Sequence, residues 1–429
     1  NATIELDNGL RDQINGSTSR VIITIIERGM LEVMPDSLRR STILVAGGDV
    51  WHNIAQYRAT ARYEDGIIDR ANILVAGDSA SYSTIAVSVD GAVRGWEIPP
   101  SGVNQNRDVD LTSNPILVPR DTSVRFQLWG RFNPVVAPSS VTSRVGVPLS
   151  GAQVALGINA RLTGGEWDNP LYATSYNIRT TGATSGERIF VAAERAAMGN
   201  PFIVRKTKIV VQTVTVGSHE LVRSGRQALM SNRIAADVAG AAGLKKIGFT
   251  IRIGRAPGSR MSVGSLRLQL NGSDLSDRDY RIIRLVGGSD VMNATFGATE
   301  ETVDVVVIFN AEETISGTGA EYTLTADVQN SEIGDSISTS LIVRGSSSVT
   351  GTLTDDSFMI PLAGGTMGPF ILPPYSGMGP IEQIWRVHGD QLIWTDRSDV
   401  PHGRTSLDWI GDTYIEDLTV RNTVARTMP

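Results

Sequence analysis

The sequence predicts an all-β protein: tandem Ig-like antiparallel β-sandwich modules with a strand-rich N-terminal arm. Three observations carry that prediction. Short alternating or β-branched segments recur along the chain, bounded by Gly, Pro, Asn, Asp and Ser. Segments with convincing helical character are scarce. One succession of strand patterns also occurs twice in the same order, the signature of a duplicated module.

The strands begin with Ser19–Glu27 (SRVIITIIE), which is apolar and β-branched. Gln56–Tyr63 alternates cleanly, and Ile67–Val75 and Thr84–Val89 follow it. Later come Val124–Trp129, Ile203–Val216, Ile247–Ile253, Ser265–Leu270, Val303–Phe309 and Glu321–Val328. Asp90-Gly91 and Asn271-Gly272 are hairpin turn signals, because both residues of a tight two-residue turn need positive φ. Ala192–Met198 (AAERAAM) has helical propensity, but Pro201 limits it to about two turns.

The repeat sets QYRATARYEDG and IIDRANILVAG against ALMSNRIAADVAGAAG and LKKIGFTIRIG. TIAVSVDG then matches LRLQLNG, and Ile116–Phe132 matches Glu312–Val328. This predicts that 45–132 and 228–328 are related sandwiches, with Ile73, Val75, Phe249 and Ile251 pointing into cores. The boundaries it predicts are an arm over 1–40, a module over 41–160, a second over 161–345, and a Trp-rich segment over 346–429 that packs on or extends the second. Pro134–Ser150 reads as a linker or a long inter-sheet crossing. The tail Val420–Pro429 is expected to lie outside the core.

Composition narrows the chemistry. The chain has 429 residues, no Cys and four His, with net charge −6. Thiolate metal sites, disulfides and cysteine nucleophiles are excluded, and the acidic balance argues against nucleic acid as a partner. No apolar run is long enough for a membrane-spanning helix. Lysine stands only at Lys206, Lys208, Lys245 and Lys246, so the other basic residues are arginine, whose planar fork suits paired contacts. The chain begins at Asn1, as a secreted product would after removal of a signal peptide.

Catalytic motifs fail on inspection. Gly77-Asp78-Ser79-Ala80 approaches a nucleophile elbow, but Ser81 stands where Gly is required and SYSTIAVSV alternates as a strand. It reads as a hairpin turn. Acids cluster at Asp274, Asp277 and Asp279, at Asp355 and Asp356, and at Asp396 and Asp399. Loop carboxylates suit Ca²⁺, so the first five are the candidate metal ligands, with no other cofactor expected. Arg278 and Arg397, interleaved with these acids, favour arginine pairing instead. Sequons at Asn1, Asn15, Asn271 and Asn293 mark glycosylation candidates. Trp96, Trp129 and Trp167 are the aromatic residues to inspect for sugar stacking.

The C-terminal segment is the most distinctive. Trp394-Thr395-Asp396-Arg397-Ser398 leads to His402-Gly403, then Asp408-Trp409, Tyr414 and Leu418. This run, W-[ST]-D-x-S…H-G-x-[ST]-x-x-D-W-x-x-x-x-Y-x-x-x-L, resembles the module ending many large secreted surface proteins of Patescibacteria. Glu312–Val328 and Gly334–Thr339 resemble the strands just upstream there, and with a weaker similarity around Tyr172–Ile253 the resemblance spans about 163–418. It implies an extracellular, S-layer-like structural protein that assembles with copies of itself, without enzymatic activity, at a surface that also offers envelope glycans. An adhesin or carbohydrate-binding sandwich array is the alternative reading. A secreted glycoside hydrolase with an accessory sandwich is the third.

Overall fold

The computed structural model describes residues 2–5, 11–14, 29–36, 43–46, 50–99, 103–137, 148–158, 178–193, 197–199, 202–215, 220–285, 289–296, 302–342, 358–361, 385–388, 392–401, 408–411, 415, 418 and 423–428. Among them there is no α-helix, only the 3-10 turn Ser79–Ser81. Strand pairing gives two sandwiches and two separate hairpins, Ala2–Glu5 with Arg11–Ile14 and Phe358–Pro361 with Trp385–His388.

The two sandwiches share one strand order. In the first, one sheet runs Met30–Pro35, His52–Arg62, Ser123–Phe132, Tyr82–Val89, Ala92–Glu97. Its counterpart in the second runs Ile209–Val214, Gly225–Ala236, Ala320–Gln329, Ser262–Leu270, Ser273–Asp274. In the facing sheet of the first, Gly66–Asp78 lies between Val103–Asp110 and Gln153–Ile158, with Phe202–Arg205 beyond. In the second, Ala242–Gly254 lies between Thr302–Ile315 and Ser336–Leu341, with Thr423–Thr427 beyond. This is an Ig-like arrangement used twice.

Alternation explains why these residues form these sheets, since successive strand side chains face opposite ways. In Ser123–Phe132, Phe126, Leu128 and Phe132 enter the first core while Gln127, Trp129 and Arg131 face outward. Ile73 and Val75 are buried in the first core, and Phe249 and Ile251 in the second. Burying each such side chain fully contributes about 1.5–3 kcal/mol. The two hairpin turns fall at equivalent places, Asp90-Gly91 at φ 51° and 80°, Asn271-Gly272 at φ 50° and 83°. Each closes a two-residue loop between registered pairs, Val89 with Ala92 and Leu270 with Ser273.

Several expectations need correction. The division does not fall at 160/161, because Arg179–Gly182, Phe190–Ala193 and Phe202–Arg205 all join sheets of the first sandwich. The Ile203–Val216 run is two strands, the last of one sandwich and the first of the next, parted at Lys206-Thr207-Lys208. Nor is 1–40 all arm. Met30–Pro35 is a strand of the first sandwich, paired along its length with His52–Arg62. Ser19–Glu27 lies outside the described residues.

In place of a helix at Ala192–Met198, Phe190–Ala193 and Ala197–Met198 are strands, because sheet partners at Met30–Pro35 and Gln153–Ile158 override local propensity. The turn Ser79–Ser81 crosses from one sheet to the other and closes no hairpin. Phe132 and Gln153 also belong to opposite sheets, so the chain changes sheet between them; 138–147 lie outside the described residues. The tail does not lie outside either: Thr423–Thr427 pairs with Ser336–Leu341, and Arg426 is buried.

Candidate functional site

Two places bring chemistry-bearing side chains together. The first is the outer face of the sheet centred on Ser123–Phe132. Register sets Trp96 opposite Ala86 and Ala86 opposite Trp129, so both indoles share one face, two strands or about 10 Å apart. Trp96 is 59% exposed, the most accessible tryptophan of the described core strands. Trp129 is half-buried and held: its Nε1–H donates to Gln127 Oε1 at 2.9 Å, and its ring centre is 6.3 Å from that of Trp51. The Arg131 guanidinium sits 4.3 Å from the Trp51 ring centre, a cation–π contact.

A hydrogen-bonded file runs from Trp129 across this face. Gln127 Nε2 donates to Gln56 Oε1 at 3.4 Å, and Gln56 Nε2 donates to Asp36 Oδ2 at 3.3 Å. Asp36 also receives Arg125 at 2.8 Å and Arg58 at 3.4 Å. The Gln56 amide first, and then the two guanidiniums, hold its carboxyl below the usual range. The hydroxyl of Ser88, registered opposite Gln127, is buried without a hydrogen-bond partner among the described residues.

The second place is the junction between the sandwiches. Asp396, fully buried, follows the strand Ile393–Thr395, which pairs with Ala242–Gly254 of the second sandwich. Its carboxylate accepts from Lys206 N at 2.9 Å, Ser398 N at 3.1 Å and Ser398 Oγ at 2.7 Å. It also accepts the Ser150 hydroxyl of the first sandwich. The buried Arg205 donates to Ser150 Oγ at 3.2 Å, and Lys206 Nζ donates to the Arg397 carbonyl at 3.1 Å. Trp394 meanwhile inserts into the second core, so the motif around it closes a sandwich and ties it to its neighbour.

Of the candidate Ca²⁺ ligands, Asp274 and Asp277 have arginine partners. Asp274 bonds Arg226 at 2.6 Å and the Gln269 amide at 2.9 Å, and these contacts, the amide first, lower its carboxyl. Asp277 lies 3.6 Å from Arg267. Asp279 lies near Glu313, whose carboxyl is pushed up by burial and by the Asp279 charge, but among the described residues no group of three acid or His side chains converges. Asp355 and Asp356 lie outside the described residues, as do Trp167, Asn1 and Asn15. Asn271 and Asn293 are exposed, and their side-chain oxygens accept from Glu321 N at 2.9 Å and Arg267 Nη2 at 2.7 Å.

Sequence reading missed Trp51, Arg131, Gln127, Gln56 and Asp36. The period of two in VRFQLWGRF was the available signal, since it places Arg125, Gln127, Trp129 and Arg131 on one face. The Asp396 junction had no such signal, because its partners are 190 and 246 residues away in the chain.

The fold defines a double Ig-like β-sandwich protein. No family model and no curated protein matches the chain. Among solved structures it is similar to one titled BspA_C_WT, at 7% identity and TM-score 0.19, covering 74% of this chain and 96% of that one. It is also similar to the serine-rich repeat protein Srr2 from Streptococcus agalactiae, at 7% identity and TM-score 0.14, covering 72% and 86%. A third is the RrgB pilus protein from Streptococcus pneumoniae, at 8% identity and TM-score 0.18, covering 73% and 48%.

Proposed function

We propose that this chain is an extracellular structural protein that assembles with copies of itself into a cell-surface layer or filament, and that it is not an enzyme. The observation that carries this reading is the Asp396 junction. A buried carboxylate that accepts from both sandwiches joins them through fixed hydrogen bonds, and a regular polymer needs a repeating unit of fixed shape. The resemblance carried by Trp394–Leu418 points the same way. The chemistry of the acids agrees, because Asp274 and Asp277 already have arginine partners within the chain.

Electron microscopy of the purified protein tests the proposal. Ordered sheets or filaments are expected, and particles that stay monomeric at every concentration overturn it. Because arginine pairing needs no ion, EDTA at constant ionic strength is expected to leave assemblies intact while high salt loosens them. Dissolution by EDTA, reversed by Ca²⁺, would replace arginine pairing with ion bridging as the contact chemistry.

A further inference from the structure

We propose that the outer face of the first sandwich binds a neutral glycan chain, with Trp96 as the stacking platform and Gln127 and Trp129 two strands further along the same face. A pyranose ring has one face of C–H groups and a rim of hydroxyls. It therefore needs an exposed aromatic plane with planar hydrogen-bonding groups at its edge. Trp96 supplies the plane at 59% exposure. The amides of Gln127 and Gln56 supply donors and acceptors on the same face, two and three strands from Trp96.

Three features favour this occupant. The face is preorganised: Trp129 is fixed by Gln127 and Trp51, so little side-chain freedom is lost on binding. Its charges are already matched, with Arg131 on the Trp51 ring and Arg125 and Arg58 on Asp36, which favours a neutral polymer over an anionic one. The two tryptophan positions lie two strands, about 10 Å, apart with Tyr82–Val89 between them, a span that follows an extended oligosaccharide rather than a single ring. The matching face of the second sandwich lacks the aromatic row and carries Glu321, Thr323, Thr325 and Asp327 instead.

This inference stands apart from polymer formation, since a monomer can carry it. The test titrates the full chain with neutral hexasaccharides of β-linked glucose, N-acetylglucosamine and mannose, following tryptophan emission and heat. At least one is expected to bind and shift the emission. Trp96→Ala is expected to weaken that binding about tenfold or more, with unchanged melting temperature. Glu321→Gln on the second sandwich is expected to bind like the parent chain. No binding by any of the three sugars, or equal binding by Trp96→Ala, overturns the proposal. If Trp96→Ala instead reduces self-association in sedimentation while the sugar titrations stay silent, the face is a contact between copies and the glycan assignment falls.

Discussion

On the first sandwich, the central strand of the outer sheet turns Arg125, Gln127, Trp129 and Arg131 toward solvent. The equivalent strand of the second, Ala320–Gln329, turns Glu321, Thr323, Thr325 and Asp327 outward. Behind both strands the cores are alike, with Phe126 and Leu128 in one and Tyr322 and Leu324 in the other. The second face satisfies itself. Thr323 donates to Ser231 at 2.9 Å, Ser231 to Glu321 at 2.6 Å, and Arg226 bridges Asp274 and Asp327. The first leaves Ser88 unpaired among the described residues and Trp96 in water. The two sandwiches share one pattern at the inward positions and differ at the outward ones, so a difference in function belongs on the outward face.

Core truncation gives the largest effect and tests the shared half of that comparison. Leu128→Ala and Leu324→Ala each remove a fully buried side chain and should each cost about 3–5 kcal/mol. Urea unfolding checks this, and tolerance at one site alone would break the equivalence of the cores.

Asp335 gives the next largest effect, in the second sandwich only. Fully buried, it accepts from Ala256 N at 2.7 Å, Ser259 Oγ at 2.6 Å and Glu332 N at 2.8 Å. Burial pushes its carboxyl up, but these hydrogen bonds outweigh that and the net shift is downward. A depressed folded pKa means that its stabilisation is complete above the unfolded value and is lost as pH falls through the folded one. Asp335→Ala should cost about 2–4 kcal/mol at neutral pH, and the difference from the parent should shrink in acid. A pH series of melting curves tests the sign.

The smallest effect is the most discriminating. Ser231→Ala breaks a closed hydrogen-bond file and should cost about 1 kcal/mol, whereas Ser88→Ala removes a hydroxyl with no partner among the described residues and should cost about nothing. Equal losses in paired melts would show that the first face is closed too.

Much of this fold was legible in the sequence. Period-two alternation located the long strands, and Asp90-Gly91 and Asn271-Gly272 marked the same hairpin in both sandwiches. The boundary was hidden because Ile203–Val216 reads as one apolar run. Only Lys206-Thr207-Lys208 interrupts it, and pairing rather than composition assigns its halves. Phe190–Ala193 was hidden for a related reason, since it pairs in parallel with Met30–Pro35, 160 positions upstream. Trp96 and Trp129 were singled out as residues, but strand register was needed to place them side by side.

The strand Thr423–Thr427 also sets a timetable. It pairs with Ser336–Leu341, and 81 residues separate the two. At synthesis rates of about 5–20 residues per second, the earlier strand waits roughly 4–16 s for its neighbour, whereas the first sandwich has all its strands once Arg205 has emerged. During that interval an edge of the second sandwich stays open to any other chain nearby. That open edge is the part of the half-built chain most ready to pair with a strand of another molecule.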